Sequence, residues 1–437
     1  PLQGELYAKF LFSPVAHSLI TKLDISAAEK MPGVVKVITS ASIPGINQIG
    51  TVIKDEPLFP EKEIMYVGQP LAMVLAEDEY IAELAVNKII LKLEELPAIF
   101  APEDAYNKKQ GYISERKIES GDVETALKNA PFTLQGRTVT TGQEHFYLEG
   151  QRCLAVPFEG NRITLHTATQ STMEVQEVAS RVLGIPANDV IIEVPRLGGA
   201  FGGKERGATI WACMAALGAF LTKRPVLVKL TRAEDMHYTG KRHPFTSLWQ
   251  VGYEENGKIL AYDLLLLANG GAYTDLSIAI LERAMFHSEN AYFIPDIRIR
   301  GYACKTNLPP NTAFRGFGAP QGIFVMESIL DKIARQLKID PLEIRRRNAY
   351  QNGQLTPYGQ EITHSQLNNI YTKLAEKANY SMLKEEVAEF NKHNLRYKRG
   401  IGITPVKFGI SFTTALLNQG SALVWVYIDG SVSVSTG

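Results

Sequence analysis

The amino-acid sequence predicts a mixed α/β (α+β) protein of several domains. Its first hundred residues alternate short β-branched runs with helically spaced stretches. Residues 190–220 read as a β-branched run, a glycine-dense loop and an apolar helix. The chain has 437 residues, enough for roughly two to four well-buried domains.

In order along the chain, LYAKFLF (6–12) has strand character, SAAEKM (26–31) is helix-like and VVKVITS (34–40) is strand again. The apolar YVGQPLAMVLA (66–76), the helical segment 77–89 and the strand-like ILKLEEL (90–96) complete a compact α/β unit, 1–108, closing near Pro97 and Pro102. A larger region, 115–375, follows. It contains the strand-rich FTLQGRTVTTG (132–142), a helix around Glu174–Leu183, the glycine loop with its helix, VLVKLTR (226–232), a meander through 248–268 and a second loop plus helix at 311–337. Residues 376–398 are polar and helix-prone and bridge to a third unit, 399–437. In that unit Asp429-Gly430 marks a turn between two alternating strands. An isolated hairpin is marginal in water, and the chain opens on Pro1 rather than Met, so the expectation is that the segment belongs to a longer polypeptide.

Composition excludes little but points one way. Forty-six basic residues balance 46 acidic ones, which gives no electrostatic case for nucleic acid or an anionic membrane. No apolar run approaches the ~20 residues of a membrane span, and no signal segment opens the sequence. Cys153, Cys213 and Cys304 are too scattered for a metal knuckle or a disulfide framework, so a reducing, cytoplasmic setting is expected.

The glycine loop carries the first chemistry. Gly198, four residues, Gly203 and Lys204 nearly spell a phosphate-binding loop, and free backbone N–H groups at a helix start suit an anion. Glu205 then stands where a magnesium-holding hydroxyl belongs, and its carboxylate would repel a triphosphate. An anionic cofactor of another kind is expected. The loop has an echo: GAFGGKE (199–205) and GFGAPQ (316–321) both place a phenylalanine beside glycine just before a helix. The two clamp one ligand from two sides, or each makes a tight turn.

Other side chains carry open readings. Glu205 is a helix-start acid favoured by the macrodipole or a polar ligand anchor. Arg283, between apolar runs, pairs with a structural carboxylate or meets a ligand. Arg315, between Phe314 and Gly316, offers a planar fork to an oxo or phosphate group. Phe317 and Phe412 are core residues or a flat slot for an aromatic guest. Gln170 caps a helix or reaches a ligand. His145 and His243 lie in polar turns, with no HxH or HExxH spacing and no GxSxG elbow anywhere.

Five ordered motifs, GQEHFYLEGQ (142–151), RLGGAFGGKE (196–205), TGKRHPF (239–245), TNLPPNTAFRGFGAPQG (306–322) and KFGISFTTALLNQG (407–420), together resemble the molybdenum-binding part of the xanthine dehydrogenase family of molybdenum hydroxylases. The resemblance spans nearly the whole chain. It implies a hammerhead-like α/β domain (1–108), a first molybdopterin-binding domain (115–375), a helical connection (376–398) and the start of a second molybdopterin-binding domain (399–437).

It also implies a molybdopterin cofactor with an oxo-sulfido molybdenum, held mostly by backbone and amide groups. Gln170, Gly199, Ala200, Phe201 and Gly202 would line it on one side, and Ala313, Phe314 and Arg315 on the other. Gln170, Phe201 and Arg315 would neighbour the metal without ligating it. Glu205 and Arg283 would be the polar substrate contacts, Phe317 and Phe412 would sandwich the ring, Thr413 would hydrogen-bond it, and Leu276 and Leu417 would fill the wall. An acid and a guanidinium suit a purine, hypoxanthine or xanthine on the way to urate, and replacing Glu205 with Val and Arg283 with Met would spare small aldehydes.

The resemblance further implies [2Fe-2S] and FAD partner domains or subunits, the rest of the molybdopterin-binding domain, and a dimeric assembly. The family's general-base glutamate sits in a Gly-Glu-Pro motif that these residues lack. Neither Glu144 nor Glu149 fits it, so no catalytic base is assigned here. Two other readings stand beside this one: an aldehyde or N-heterocycle hydroxylase of the same family, and a non-catalytic nucleotide-binding module.

Overall fold

A computed structural model describes residues 1–413 and 418–436. Its larger sheet has seven strands in the order Val190–Glu193, Ile163–Thr167, Arg152–Pro157, Val226–Lys229, Leu6–Phe12, Pro70–Ala76 and Val34–Ile38. Pro70–Ala76 is buried at every position, which explains its unbroken apolar sequence. The helices Thr172–Leu183 and Thr209–Thr222 pack together beside this sheet and share its core with Leu6, Met73, Leu75 and Val226. Ten residues of Thr209–Thr222 are buried, so this helix is an interior element, apolar on nearly every side.

The second sheet runs Arg116–Ser120, Asp296–Lys305, Ile259–Gly271, Phe245–Tyr253 and Phe132–Thr140. Ile259–Gly271 and Asp296–Lys305 are parallel, and the helix Ser277–Phe286 lies in the crossover that parallel pairing requires. The helix Ala319–Leu337 packs on it, and both bury their apolar faces in one core with Tyr262, Leu264, Ile297 and Ile299. A three-stranded sheet (Glu63–Ile64, Ser18–Asp24, Ile90–Glu95) and the hairpin Ala422–Val426/Val432–Thr436 complete the strands. The hairpin turns at the expected Asp429-Gly430, and both strands are exposed throughout.

Three local expectations change. The first hundred residues do not close their sheet alone: Leu6 pairs in parallel with Val226, so strands of the opening unit finish a sheet begun by 152–229. Pairing across more than two hundred residues leaves no local signature. The polar stretch 376–398 is not one helix: it opens on the last two residues of Leu367–Lys377, breaks where Asn379 adopts a left-handed φ of 49°, and continues as Tyr380–His393. Finally, the helix after the glycine loop starts at Thr209, four residues beyond Glu205. Four-residue turns, Gly203 N–H to Ala200 O, Glu205 N–H to Gly202 O and Thr209 N–H to Arg206 O, occupy the interval.

Gly322 fixes how closely the two helices of the second core approach. A β-carbon there would stand 2.3 Å from the Ala284 carbonyl oxygen, a backbone atom that cannot swing aside. Gly→Ala inside a helix ordinarily gains about 1 kcal/mol of propensity. The overpacking cost of about 1–3 kcal/mol should win. Gly322→Ala should therefore lower the melting temperature, and an unchanged or raised value would show that the helices can part freely.

Candidate functional site

The first glycine loop is anchored from behind. Gln170 Oε1 accepts from the N–H of Gly202 at 3.0 Å and of Lys204 at 3.4 Å, while Gln151 Nε2 donates to Gly203 O at 3.0 Å. Two backbone donors hold the Gln170 oxygen inward, so its Nε2 turns outward from an exposed residue. Ser171, not Gln170, occupies the N-cap position of Thr172–Leu183, and its side chain makes no capping hydrogen bond.

Lys204 is fully buried. Its Nζ meets Glu149 Oε2 at 3.2 Å and lies 4.7 Å from the Tyr147 ring centre. Burial lowers the Lys204 pKa although Glu149 opposes it. A lysine committed in this way cannot clasp a nucleotide phosphate, which removes the main chemical support for a phosphate-loop reading.

The second glycine loop meets the first. The Arg315 N–H donates to Phe201 O at 3.0 Å, and a β-carbon on Gly202 would lie 2.6 Å from Ala313 O. Only glycine permits that approach, and its φ of 102° suits glycine too. Phe201 (φ 55°) before Gly202 and Phe317 (φ 51°) before Gly318 (φ 98°) repeat one left-handed backbone pattern. Such a conformation costs a phenylalanine on the order of 1–3 kcal/mol, and it recurs where structure around it enforces function. Phe201 is half exposed, Ala200 and Ala313 are buried, and Arg315 is exposed, with no ion pair or side-chain hydrogen bond among the described residues.

His145, a polar-turn residue in the sequence, stands behind the junction. Its Nε2 lies 2.7 Å from Ala313 O, its ring is 4.7 Å from that of Phe314, and Gly203 packs against it. Arg242 also stacks on Phe314, 3.9 Å from its ring centre. Both residues sit in quoted motifs, yet a role that depends on touching a loop 168 positions away has no spacing signal.

Glu205 faces a cluster of charge beside the loop. Burial raises its carboxyl from 4.5 to about 7, and Asp275 and Glu174 push the same way against Arg206. Asp275, buried and left-handed (φ 44°), accepts from Leu276 N–H at 2.6 Å and from Thr312 Oγ1 of the second loop at 2.8 Å. It therefore ties that loop to the helix Ser277–Phe286. Leu276 itself is buried in the second core. Arg283 lies two turns along from Leu276, about 10 Å. One rigid helix thus links the surroundings of Glu205 to Arg283.

Arg283 is buried, and its partners are not a carboxylate. Its Nη1 donates to Gly409 O and its Nη2 to Ser411 O, which the local sequence did not suggest. Burial lowers its pKa. Its guanidinium lies 5.6 Å from the Phe317 ring, which in turn meets Phe412 at 5.6 Å and 55°. Thr413 Oγ1 is buried and without a hydrogen-bond partner. Leu417 lies outside the described residues. The structure thus brings together Gln170, Phe201, Gly202 and Arg315 at one junction, and Arg283, Phe317, Phe412 and Thr413 on the adjoining side.

Among the described residues no group of three or more His, Cys, Asp or Glu side chains is placed to hold a metal. The junction instead offers the outward Gln170 amide, the Arg315 guanidinium and close-set backbone, a donor set fitted to an oxygen-rich group that brings its own metal ligands. No helix of the described residues is long and apolar enough to cross a membrane.

Comparison with known proteins identifies the family of the chain. Residues 105–349 and 373–437 match families described as molybdopterin cofactor-binding domains. Residues 1–97 match the a/b hammerhead domain of aldehyde oxidase and xanthine dehydrogenase. The chain is 41% identical to xanthine dehydrogenase of Dictyostelium discoideum over 99% of its length, covering 32% of that protein. It is 42% identical to xanthine dehydrogenase/oxidase of Rattus norvegicus and 40% to nicotinate hydroxylase of Emericella nidulans, in each case over 100% of this chain and 33% of the relative. It thus spans about a third of the length of these relatives. The aldehyde oxidoreductase of Desulfovibrio gigas superposes with a TM-score of 0.83 at 26% identity, over 99% of this chain and 49% of that one.

Two outcomes test the junction and its electrostatics. Gly202→Ala should raise hydrogen exchange in both 198–204 and 312–318, because a β-carbon pushes the loops apart. A change confined to the first loop would mean that they do not brace each other. Glu205 binds its proton more tightly folded than unfolded, so its contribution to stability falls as pH rises from 4.5 through about 7. Glu205→Gln should therefore raise the melting temperature at pH 8 and leave it nearly unchanged at pH 5. An equal shift at both pH values would place the titration elsewhere.

Proposed function

This chain belongs to the molybdopterin cofactor-binding domain family, and from that membership we propose that it forms the cofactor and substrate face of a molybdenum hydroxylase acting on purine-type heteroaromatic rings. The observation that carries the proposal is the pairing of two braced Phe-Gly loops, with free Gln170 and Arg315 donors, to an adjoining pocket of Arg283, Phe317, Phe412 and Thr413.

When bound, the molybdenum–pterin group would supply the two-electron oxidation and the water-derived oxygen. Gln170 Nε2, from the segment that holds the first loop, and the Arg315 fork of the second loop would donate to its oxygens. Phe317 and Phe412, tilted at 55° to each other, would pack a flat ring against one face and one edge, and the Thr413 hydroxyl, without a hydrogen-bond partner among the described residues, would pair with a ring heteroatom. Glu205, protonated below about pH 7, can donate to a carbonyl or ring nitrogen and, once ionised, accept from a ring N–H. The cationic face of Arg283 would stabilise negative charge growing on the ring.

Hydroxylation of a ring C–H by water releases two electrons and two protons. In this reading the electrons leave through [2Fe-2S] and FAD partner domains or subunits, in a dimeric cytoplasmic enzyme whose general base lies outside these residues. The 40%-identical nicotinate hydroxylase gives substance to a second reading, in which an anionic N-heterocycle meets Arg283.

Arg283 also holds the 409–411 backbone, so Glu205 gives the cleaner test. Losing one hydrogen bond to a chargeable group costs about 1.5–3 kcal/mol, roughly 10- to 150-fold. Glu205→Val in the holoenzyme should lower kcat/KM for hypoxanthine by that factor and leave an aromatic aldehyde within about threefold. Equal losses on both would contradict a purine-directed role. Unchanged purine turnover, with nicotinate as the better substrate, would favour the second reading.

A further inference from the structure

Residues 403–413 run as a strap across the end of the helix Ser277–Phe286, and one short stretch of sequence reads most of it. Asn290 Nδ2 donates to Pro405 O at 2.9 Å, and its Oδ1 accepts from Lys407 N–H at 3.1 Å. Lys407 Nζ reaches the buried Glu289 carboxylate and the Tyr358 hydroxyl. The His287 ring lies 5.2 Å from that of Phe408. Three residues beyond Gly409 the strap delivers Phe412 to Phe317.

His287 occupies the decisive place. Its Nε2 lies 2.9 Å from Gly409 N, and a backbone N–H can only donate, so Nε2 must be the acceptor. The proton then sits on Nδ1, which donates to Arg283 O at 2.7 Å. Gly409 is thus gripped twice, at its N–H by His287 and at its C=O by Arg283, two side chains four apart on one helix face. A protonated imidazole would set two donors against each other at Gly409. Burial and the cations Lys407 and Arg283, with the Glu289 charge taken up by Lys407, keep the ring neutral down to about pH 4.

We infer that His287 is a positioning residue: its neutral Nδ1–H tautomer locks the strap at Gly409 and so sets Phe412 against Phe317 and Arg283. The consequence for turnover rests on the heteroaromatic reading above, whereas the lock itself does not. Glutamine can reproduce one acceptor and one donor. Phenylalanine keeps the ring packing and removes both.

The test compares wild-type holoenzyme with His287→Gln and His287→Phe. Hydrogen exchange at 407–412 should rise in the phenylalanine variant while the helix Ala319–Leu337 stays protected. KM for hypoxanthine should rise about tenfold with kcat within threefold, and His287→Gln should recover most of both effects. Unchanged exchange at 407–412, loss of kcat and KM in step with the melting temperature, or a glutamine variant no better than phenylalanine would each overturn the inference. If wild type turns over no heteroaromatic, the functional reading fails, and the exchange measurement alone decides the lock.

Discussion

Gly202 and Ala313 come so near that a β-carbon on the glycine would stand 2.6 Å from the alanine carbonyl oxygen, and the N–H of Arg315, two residues beyond Ala313, reaches Phe201 O, one residue before Gly202. These segments are more than a hundred residues apart and follow different sheets. The first loop leaves the edge of the seven-stranded sheet. The second follows the five-stranded sheet and leads into the helix Ala319–Leu337. Their meeting joins two separately built cores. Its cost is local: two phenylalanines held at left-handed φ, each followed by a glycine that can follow suit. His145 and Arg242, both packed against the Phe314 ring, stiffen the joint.

Around this joint the charges are arranged asymmetrically. On the Glu205 side, carboxylates outnumber the single buried guanidinium of Arg206, so burial and mutual repulsion hold Glu205 and Asp275 toward their neutral forms. On the Arg283 side the cation is met by backbone dipoles. Gly409 and Ser411 carbonyls satisfy its donors without neutralising it, so its positive field remains directed at the aromatic pair. The proposed flat heteroaromatic guest would present acceptors at one end of such a site and gather negative charge at the other. The same carbonyls make the strap part of the pocket wall and link its alignment to that of the guanidinium.

Much of this was legible in the sequence, and the failures have physical causes. Fully buried strands such as Pro70–Ala76, the Asp429-Gly430 hairpin and the paired Phe-Gly loops announce themselves because local pattern dictates them. Local pattern placed the start of the post-loop helix at Glu205, whereas glycines at 202, 203 and 207 let the chain run on through turns before Thr209. The shared sheet, the His145 brace and the Arg283 carbonyl partners depend on segments far apart in sequence, which no spacing within a motif encodes. Resemblance can therefore nominate residues for a site, whereas what each one touches depends on the folded chain. Lys204 shows the difference: its near phosphate-loop position suggests a ligand contact, yet it is buried against Glu149 and Tyr147.

The central claim is that the two loops form a single cradle for one molybdenum-bearing cofactor. Diffraction from crystals of the holoenzyme, recorded above and below the molybdenum absorption edge, tests it most directly. The account requires one anomalous peak per chain, between the loops and flanked by Gln170 Nε2 and the Arg315 guanidinium. A peak seated away from that junction, or none in protein purified with its full complement of partners, would contradict it.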